Sequence, residues 1–249
     1  MLATVYRRLG LADRALRQAR ESLTRFPDSE VALDIFARLL MEHGETDEAV
    51  RVVDETARAH PRNFRILVTA SQVHREAGHR EQAIAYAEAA RAEAPYDAYA
   101  RVNLADTYVA SGLAHKALQV ALEARERFSG NDVVRNTLAK AYAASGDYAK
   151  AVETAEETVG LFPDDPVART ILANALKDLR DFGRAVQTAQ ETVHLFADDL
   201  IARNTLTNIL LEAGKLDEAL ESVRINLRMN PRDRGARSTL IQVHRARKE

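Results

Sequence analysis

The sequence predicts an all-α protein built as a tandem array of helix pairs, and three observations carry that expectation. Residues 132–165, DVVRNTLAKAYAASGDYAKAVETAEETVGLFPDD, match the rest of the chain at successive steps of 34 residues. Gly146 has counterparts at Gly10, Gly44, Gly78, Gly112 and Gly214, Ala151 at Ala15, Ala49, Ala83, Ala117, Ala185 and Ala219, and Pro163 at Pro27, Pro61, Pro95 and Pro231. The residue ahead of each first helix is also of one kind: Ser29, Asn63, Asp97, Asn131, Asp165, Asp199 and Asp233 all carry a short side chain able to cap a helix N-terminus. Several markers on one unbroken period signal a repeat array, in which each unit packs on its neighbours and no single core has to grow.

In order, the units are 1–29 (truncated), 30–63, 64–97, 98–131, 132–165, 166–199, 200–233 and a half unit 234–249, together one continuous array over residues 1–249. Each full unit reads as two helices. In 132–165 the first carries Val134, Leu138, Ala141 and Tyr142 at helical spacing. It stops at Ser145-Gly146-Asp147, where glycine adopts a left-handed conformation cheaply and aspartate can cap the next helix. The second helix carries Ala151, Val152, Ala155, Val159 and Leu161 and ends ahead of Pro163. Asp165-Pro166 restarts the pattern with proline at the first helical position, where its missing N–H costs nothing. Residue 1 falls about five positions into a unit, and residues 234–249 make only the first half of one. We expect a fragment of a longer chain, with an eroded first repeat as the alternative.

Composition narrows the function. Cysteine is absent, which removes disulfides and thiolate metal sites and fits a reducing, cytoplasmic setting. Lys plus Arg number 35 against 37 Asp plus Glu, so a net charge of −2 gives no overall field favouring nucleic acid or an anionic membrane. No apolar run approaches the roughly 18 residues that read as a spanning helix. The stretch MLATVYRRLGLADRA lacks the apolar core and small-residue cleavage site of a signal peptide.

The units resemble the tetratricopeptide repeat, a helix–turn–helix of 34 residues. Counted from each unit's start, position 7 is Leu104, Leu138, Leu172, Leu206 and Leu240, and position 8 is Ala37, Ser71, Ala105, Ala139 and Ala173. Position 11 is aromatic at Tyr6, Tyr108 and Tyr142, and position 20 is alanine in all seven copies. Small residues at 8 and 20 let the two helices of a unit approach closely. The resemblance covers essentially the whole chain. It implies a right-handed superhelical solenoid of antiparallel helix pairs that binds a protein or peptide in a concave groove.

Departures from the family pattern carry their own expectations. Arg180 stands where glycine is expected, Ala197 and Ser129 where proline is expected, and the turn around Leu179-Arg180-Asp181 should be reshaped or looser. His74 and Leu176 replace the position-11 aromatic, as packing substitutions. Position 4 is arginine in five successive copies, Arg101, Arg135, Arg169, Arg203 and Arg237, each four residues after a cap that is usually aspartate. Two readings stand: a solvated pair with the cap, its stem covering apolar surface, or a basic ladder for an acidic ligand.

No convergent nucleophile, base and charge stabiliser is visible, so the chain is not expected to be an enzyme, and no cofactor or metal is expected. His43, His60, His74, His79, His115, His194 and His244 are scattered, without ligand spacing. The resemblance directs attention to the groove, which first-helix positions 2, 5, 9, 12 and 13 would line, a single helical stripe. The candidates there are Tyr99, Val102, Asp106, Val109, Val133, Asn136, Lys140, Val167, Thr170, Asn174, Lys177, Ile201, Asn204, Asn208 and Leu211. Amide side chains both donate to and accept from a peptide backbone, while apolar positions hold its side chains. The same positions are more charged nearer the N-terminus: Asp34, Arg38, Glu42, Arg65, Gln72, Arg75 and Glu76. The two-carboxylate clamp of chaperone-binding relatives is absent, because position 5 is never lysine.

The leading reading is a non-catalytic protein-interaction scaffold binding a peptide or protein partner. The alternative is a regulatory or sensor arm of a larger enzyme or signalling protein. RNA binding in the manner of pentatricopeptide repeats is disfavoured by the 34-residue period and a groove that is not basic. Any nucleic-acid contact would use the C-terminal cluster Arg224, Arg228, Arg232, Arg234, Arg237, Arg245, Arg247 and Lys248. Self-association through the ends of the array is a further option, since the half unit keeps Leu240, Ile241 and Val243. No membrane partner is expected.

Overall fold

The computed structural model describes residues 2–8, 11–231 and 233–247. Gly10, one of the expected turn glycines, lies outside them. Every regular element among the described residues is an α-helix. The first eight are α1 (Leu2–Arg8), α2 (Ala12–Arg25), α3 (Glu30–His43), α4 (Thr46–Ala59), α5 (Phe64–Glu76), α6 (Arg80–Glu93), α7 (Ala98–Ala110) and α8 (Ala114–Arg127). The rest are α9 (Asp132–Ala144), α10 (Tyr148–Leu161), α11 (Pro166–Asp178), α12 (Phe182–Leu195), α13 (Leu200–Glu212), α14 (Leu216–Met229) and α15 (Arg234–Ala246). They form two compact units, Met1–Ala124 and Arg125–Glu249, with the division falling inside α8.

Local chemistry explains where the helices start. Ser29, Asn63, Asp97, Asn131, Asp165, Asp199 and Asp233 each accept a hydrogen bond from a backbone N–H in the first turn of the helix they precede. Each such cap stabilises its helix by about 1 kcal/mol. Asp147 and Asp181 do the same for α10 and α12, whereas His79 and Lys215 make no side-chain cap.

The turn inside the pairs from α3–α4 to α13–α14 is one motif repeated. In the turn after α9, Gly146 sits at φ 84° and the backbone closes with Asp147 N–H on the Tyr142 carbonyl at 3.0 Å. Arg180 takes the same left-handed conformation at φ 67°, and Asp181 N–H reaches the Leu176 carbonyl at 2.9 Å. The expected reshaping of this turn is therefore corrected. The closing bonds and the Asp181 cap hold the backbone, the Arg180 guanidinium lies over the Phe182 ring, and the strain remains in the arginine. A non-glycine residue there costs about 1–2 kcal/mol.

Packing follows the small-residue stripe. All seven alanines at position 20, from Ala15 to Ala219, are 0–1 % exposed. In 64–97, Ser71 at position 8 donates its hydroxyl to the Ala83 carbonyl at 2.9 Å, so even the polar variant keeps the helices in contact. The N-terminal unit is centred on Leu33, Phe36, Leu40, Val53, Ile66 and Val68, and the C-terminal unit on Leu172, Leu176, Ile209, Leu210, Leu220 and Val223. Leu161, expected on the buried face of α10, is exposed. It lies two residues past Val159, about 200° round the helix and so on the opposite side.

Candidate functional site

The position-4 arginines come first, because they decide what the surface is. Arg101 Nη2 donates to the Pro95 carbonyl at 2.6 Å, and Arg135 Nε to the Ser129 carbonyl at 2.7 Å. Arg169 Nε reaches the Pro163 carbonyl at 2.8 Å, Arg203 Nε the Ala197 carbonyl at 2.7 Å, and Arg237 Nη2 the Pro231 carbonyl at 2.6 Å. Each acceptor is six residues back, just past the C-terminal end of the preceding helix, where a cation complements the helix dipole. In each case the guanidinium latches a turn, a contact that neither expected reading included. The C-terminal basic cluster thins accordingly. Arg237 is latched, Arg228 pairs with Glu221 at 3.2 Å and Arg247 with Asp217 at 3.0 Å. Arg232, Lys248 and the side chain of Arg234 lie outside the described residues.

A second latch uses two of the expected groove residues. Asn136 Nδ2 donates to Asp165 Oδ2 at 3.1 Å, and Asn204 Nδ2 to Asp233 Oδ2 at 3.0 Å. Each aspartate thus caps its own helix with one oxygen and holds the preceding first helix with the other. The Asn204 bond, followed by backbone N–H groups of the cap, holds the Asp233 carboxyl below its ordinary range. Asn226 Nδ2 donates to Asn204 Oδ1 at 2.9 Å, completing a small polar network.

The remaining candidates divide by exposure. Val102, Asn136 and Thr170, all at position 5, are buried, and Asn204 is partly buried. Position 5 therefore faces the neighbouring helix more than open solvent. Position 2 is open: Val133, Val167 and Ile201 are 47 %, 52 % and 69 % exposed. They stand on α9, α11 and α13, first helices that touch in sequence within the C-terminal unit. Lys140, Asn174, Lys177 and Leu211 are half-buried and Asn208 is exposed. Lys177 bridges to Glu212 of the next first helix at 3.1 Å, and Thr239 donates to Asn208 Oδ1 at 3.1 Å. In the N-terminal unit Tyr99 is exposed and accepts a bond from Gln72 Nε2 at 3.1 Å, while Asp106 and Val109 are half-buried.

The N-terminal unit holds a concavity that the candidate residues did not include. A cleft of about 550 Å³ lies between α3 and α5, lined by Asp34, Arg38, Met41, Glu42, Thr69, Gln72, Arg75 and Glu76 among others. Arg38 Nε pairs with Asp34 at 2.8 Å, and Arg7 pairs with Glu42 at 3.0 Å. Arg75 donates to the Thr107 hydroxyl at 3.5 Å. The signal was present in the charge at positions 5, 9, 12 and 13 of these units.

Elsewhere the N-terminal unit carries polar contacts between its helices. Tyr86 donates its hydroxyl to Asp54 Oδ1 at 2.7 Å, and Tyr108 to Glu88 Oε1 at 2.6 Å. Burial, reinforced by these carboxylate bonds, pushes both phenols up to about 12. No group of three His, Cys, Asp or Glu among the described residues converges to hold a metal, and none of the helices is long and apolar enough to cross a membrane.

Comparison with known proteins agrees with this architecture. Two family models, both described as tetratricopeptide repeat, match residues 68–132 and 114–175. No curated protein matches. Among solved structures the chain is similar to a tetratricopeptide repeat protein from Parabacteroides merdae, with a TM-score of 0.71 and 15 % identity over 97 % of this chain and 96 % of that one. It is also similar to a chain of the APC/C Cut9–Hcn1 hetero-tetramer, with a TM-score of 0.64 and 14 % identity over 97 % of this chain and 48 % of that one. Yeast Tom70 gives a TM-score of 0.60 and 14 % identity over 95 % of this chain and 59 % of its own. At these identities the likeness establishes the fold alone.

Proposed function

Since this chain is an array of tetratricopeptide repeats, we propose that it is a non-catalytic scaffold holding a protein or peptide partner against its first helices. The observation that carries the reading is the row of apolar side chains left in water at one position of three successive first helices, Val133, Val167 and Ile201. Isolated exposed apolar residues need no explanation, but a periodic row beside polar side chains fits the side chains of an extended or helical peptide. Asn174 and Asn208 supply amides next to that row. The mixed-charge cleft between α3 and α5 would serve the same kind of partner in the N-terminal unit. A cytoplasmic setting accompanies this reading, resting on the cysteine-free composition.

The test is capture of partners by the intact chain and by two surface variants, Val167→Glu with Ile201→Glu, and Arg38→Glu with Arg75→Glu. All four substitutions fall on first-helix side chains outside the fully buried core, so melting midpoints should stay close to that of the parent. Loss of a partner in the first variant assigns the apolar row, and loss in the second assigns the cleft. Retention in both would move the working surface away from the first helices and overturn the proposal.

A further inference from the structure

The turn between α5 and α6 is closed by two histidines. In the equivalent pairs of positions the neighbouring units carry Tyr108 and Leu113, Tyr142 and Asp147, or Leu176 and Asp181, and only this unit has His74 and His79. His74 is 2 % exposed, while His79 is exposed. The His74 ring stacks on Tyr86 with centroids 5.4 Å apart, and its Nε2 lies 2.8 Å from Asp54 Oδ1. That carboxylate accepts a hydrogen bond from the Nε2–H tautomer, which leaves the lone pair on Nδ1. His74 Nδ1 then meets His79 Nδ1 at 3.3 Å. The spacing is set by the backbone: His79 N–H donates to the His74 carbonyl at 2.8 Å across the left-handed Gly78.

Two imidazole nitrogens on a tetrahedral metal, with metal–nitrogen bonds of about 2.0–2.1 Å, stand about 3.3–3.4 Å apart. We propose that His74 and His79 chelate a divalent transition-metal ion such as Zn²⁺ or Cu²⁺ through their Nδ1 atoms, with Asp54 fixing the ligating tautomer of His74. A carboxylate on the far nitrogen of a ligating histidine both orients the ring and raises its basicity. Imidazole donors suit zinc and copper and not the hard cations. No third His, Cys, Asp or Glu among the described residues joins them, so water or a donor on a bound partner would complete the coordination sphere. A metal held there would bridge the C-terminal end of α5 and the start of α6.

The experiment is a titration of the full chain, stripped with chelator, with Zn²⁺ followed by calorimetry and with Cu²⁺ followed by electron paramagnetic resonance. One equivalent should bind, with hyperfine structure from two nitrogens, and the melting midpoint should rise with metal. His79→Ala, an exposed side chain that caps nothing, should lower affinity at least tenfold and leave one nitrogen coupling. Asp54→Asn should weaken binding about 10–100-fold. His115→Ala, an exposed histidine on α8, should change neither. Absence of binding at millimolar metal, or affinity unchanged in His79→Ala, would overturn the proposal and reduce the pair to a hydrogen bond sharing one proton.

Discussion

The N-terminal and C-terminal units have the same repeat but hold their neighbouring helices by different means. At position 4 the units 30–63 and 64–97 carry Leu33 and Leu67, both buried in the apolar core. In the C-terminal unit the same position is arginine and latches a backbone carbonyl, and the Asn136–Asp165 and Asn204–Asp233 bonds add a second polar connection. Repeats 30–63 and 64–97 rely at this seam on area removed from water, whereas the C-terminal unit uses charge-assisted hydrogen bonds throughout, a device that begins at Arg101 in the last repeat of the N-terminal unit. Both suffice because the alanine contact at position 20 is common to both and fixes the distance between helices. The seam chemistry is then free to vary.

The comparison can be broken at several points. The largest effect is expected from Leu67→Ala, which should cost about 2–5 kcal/mol through lost burial and a residual cavity. Hydrogen exchange resolved by peptide should show the N-terminal unit loosening first. Ala151→Leu attacks the shared contact and should cost about 1–3 kcal/mol by overpacking. An unchanged melting midpoint would mean the close approach is not what sets the helix distance. Asn204→Ala tests the polar seam. Losing a bond to a charged group should cost about 1.5–3 kcal/mol, and the Asp233 carboxyl should titrate closer to the ordinary value in an NMR pH series. Arg180→Gly should stabilise the chain by about 1 kcal/mol, because it relieves a left-handed non-glycine residue.

The most discriminating effect concerns pH. Tyr86 and Tyr108 hold their protons up to about 12 in the folded state, against an ordinary value of 10.0. Their contribution is complete below pH 10 and lost as pH rises towards 12, since the unfolded chain then binds fewer protons. Asp233 and Asp147 lie below the ordinary 3.8, the former through its Asn204 bond and the latter through its Lys150 bond. Their contribution is present above that value and is lost as pH falls through the folded one. The N-terminal unit should therefore loosen preferentially in alkali and the C-terminal unit in acid. Exchange rates that rise equally in both units at either extreme would remove the distinction.

How much of this was legible depended on where the partner atoms sit. Caps, turn glycines and position-20 alanines could be read directly, because each acts on backbone a few residues away or repeats in every copy. The arginine latch could not, since its acceptor is a backbone carbonyl that has no side-chain signature, as Ser129 and Ala197 illustrate. Asn136 and Asn204 were read as groove residues because their cap partners lie 29 residues on. A trace existed: both units with asparagine at position 5 are followed by an aspartate cap, Asp165 and Asp233. Arg180 misled in the opposite way, since a rule about glycine describes cost and not prohibition.

The latch also bears on how such an array can lengthen. An arginine that grips main chain asks nothing of the residue it grips, so a duplicated unit carrying it can dock behind any predecessor without matched substitutions. The asparagine–aspartate connection requires two particular side chains, but both lie in one 34-residue repeat, at its positions 5 and 34, so a copy carries them together. Growth by copying is therefore permissive through both devices, the first reaching back to the preceding repeat and the second closing within its own, and the C-terminal unit carries both.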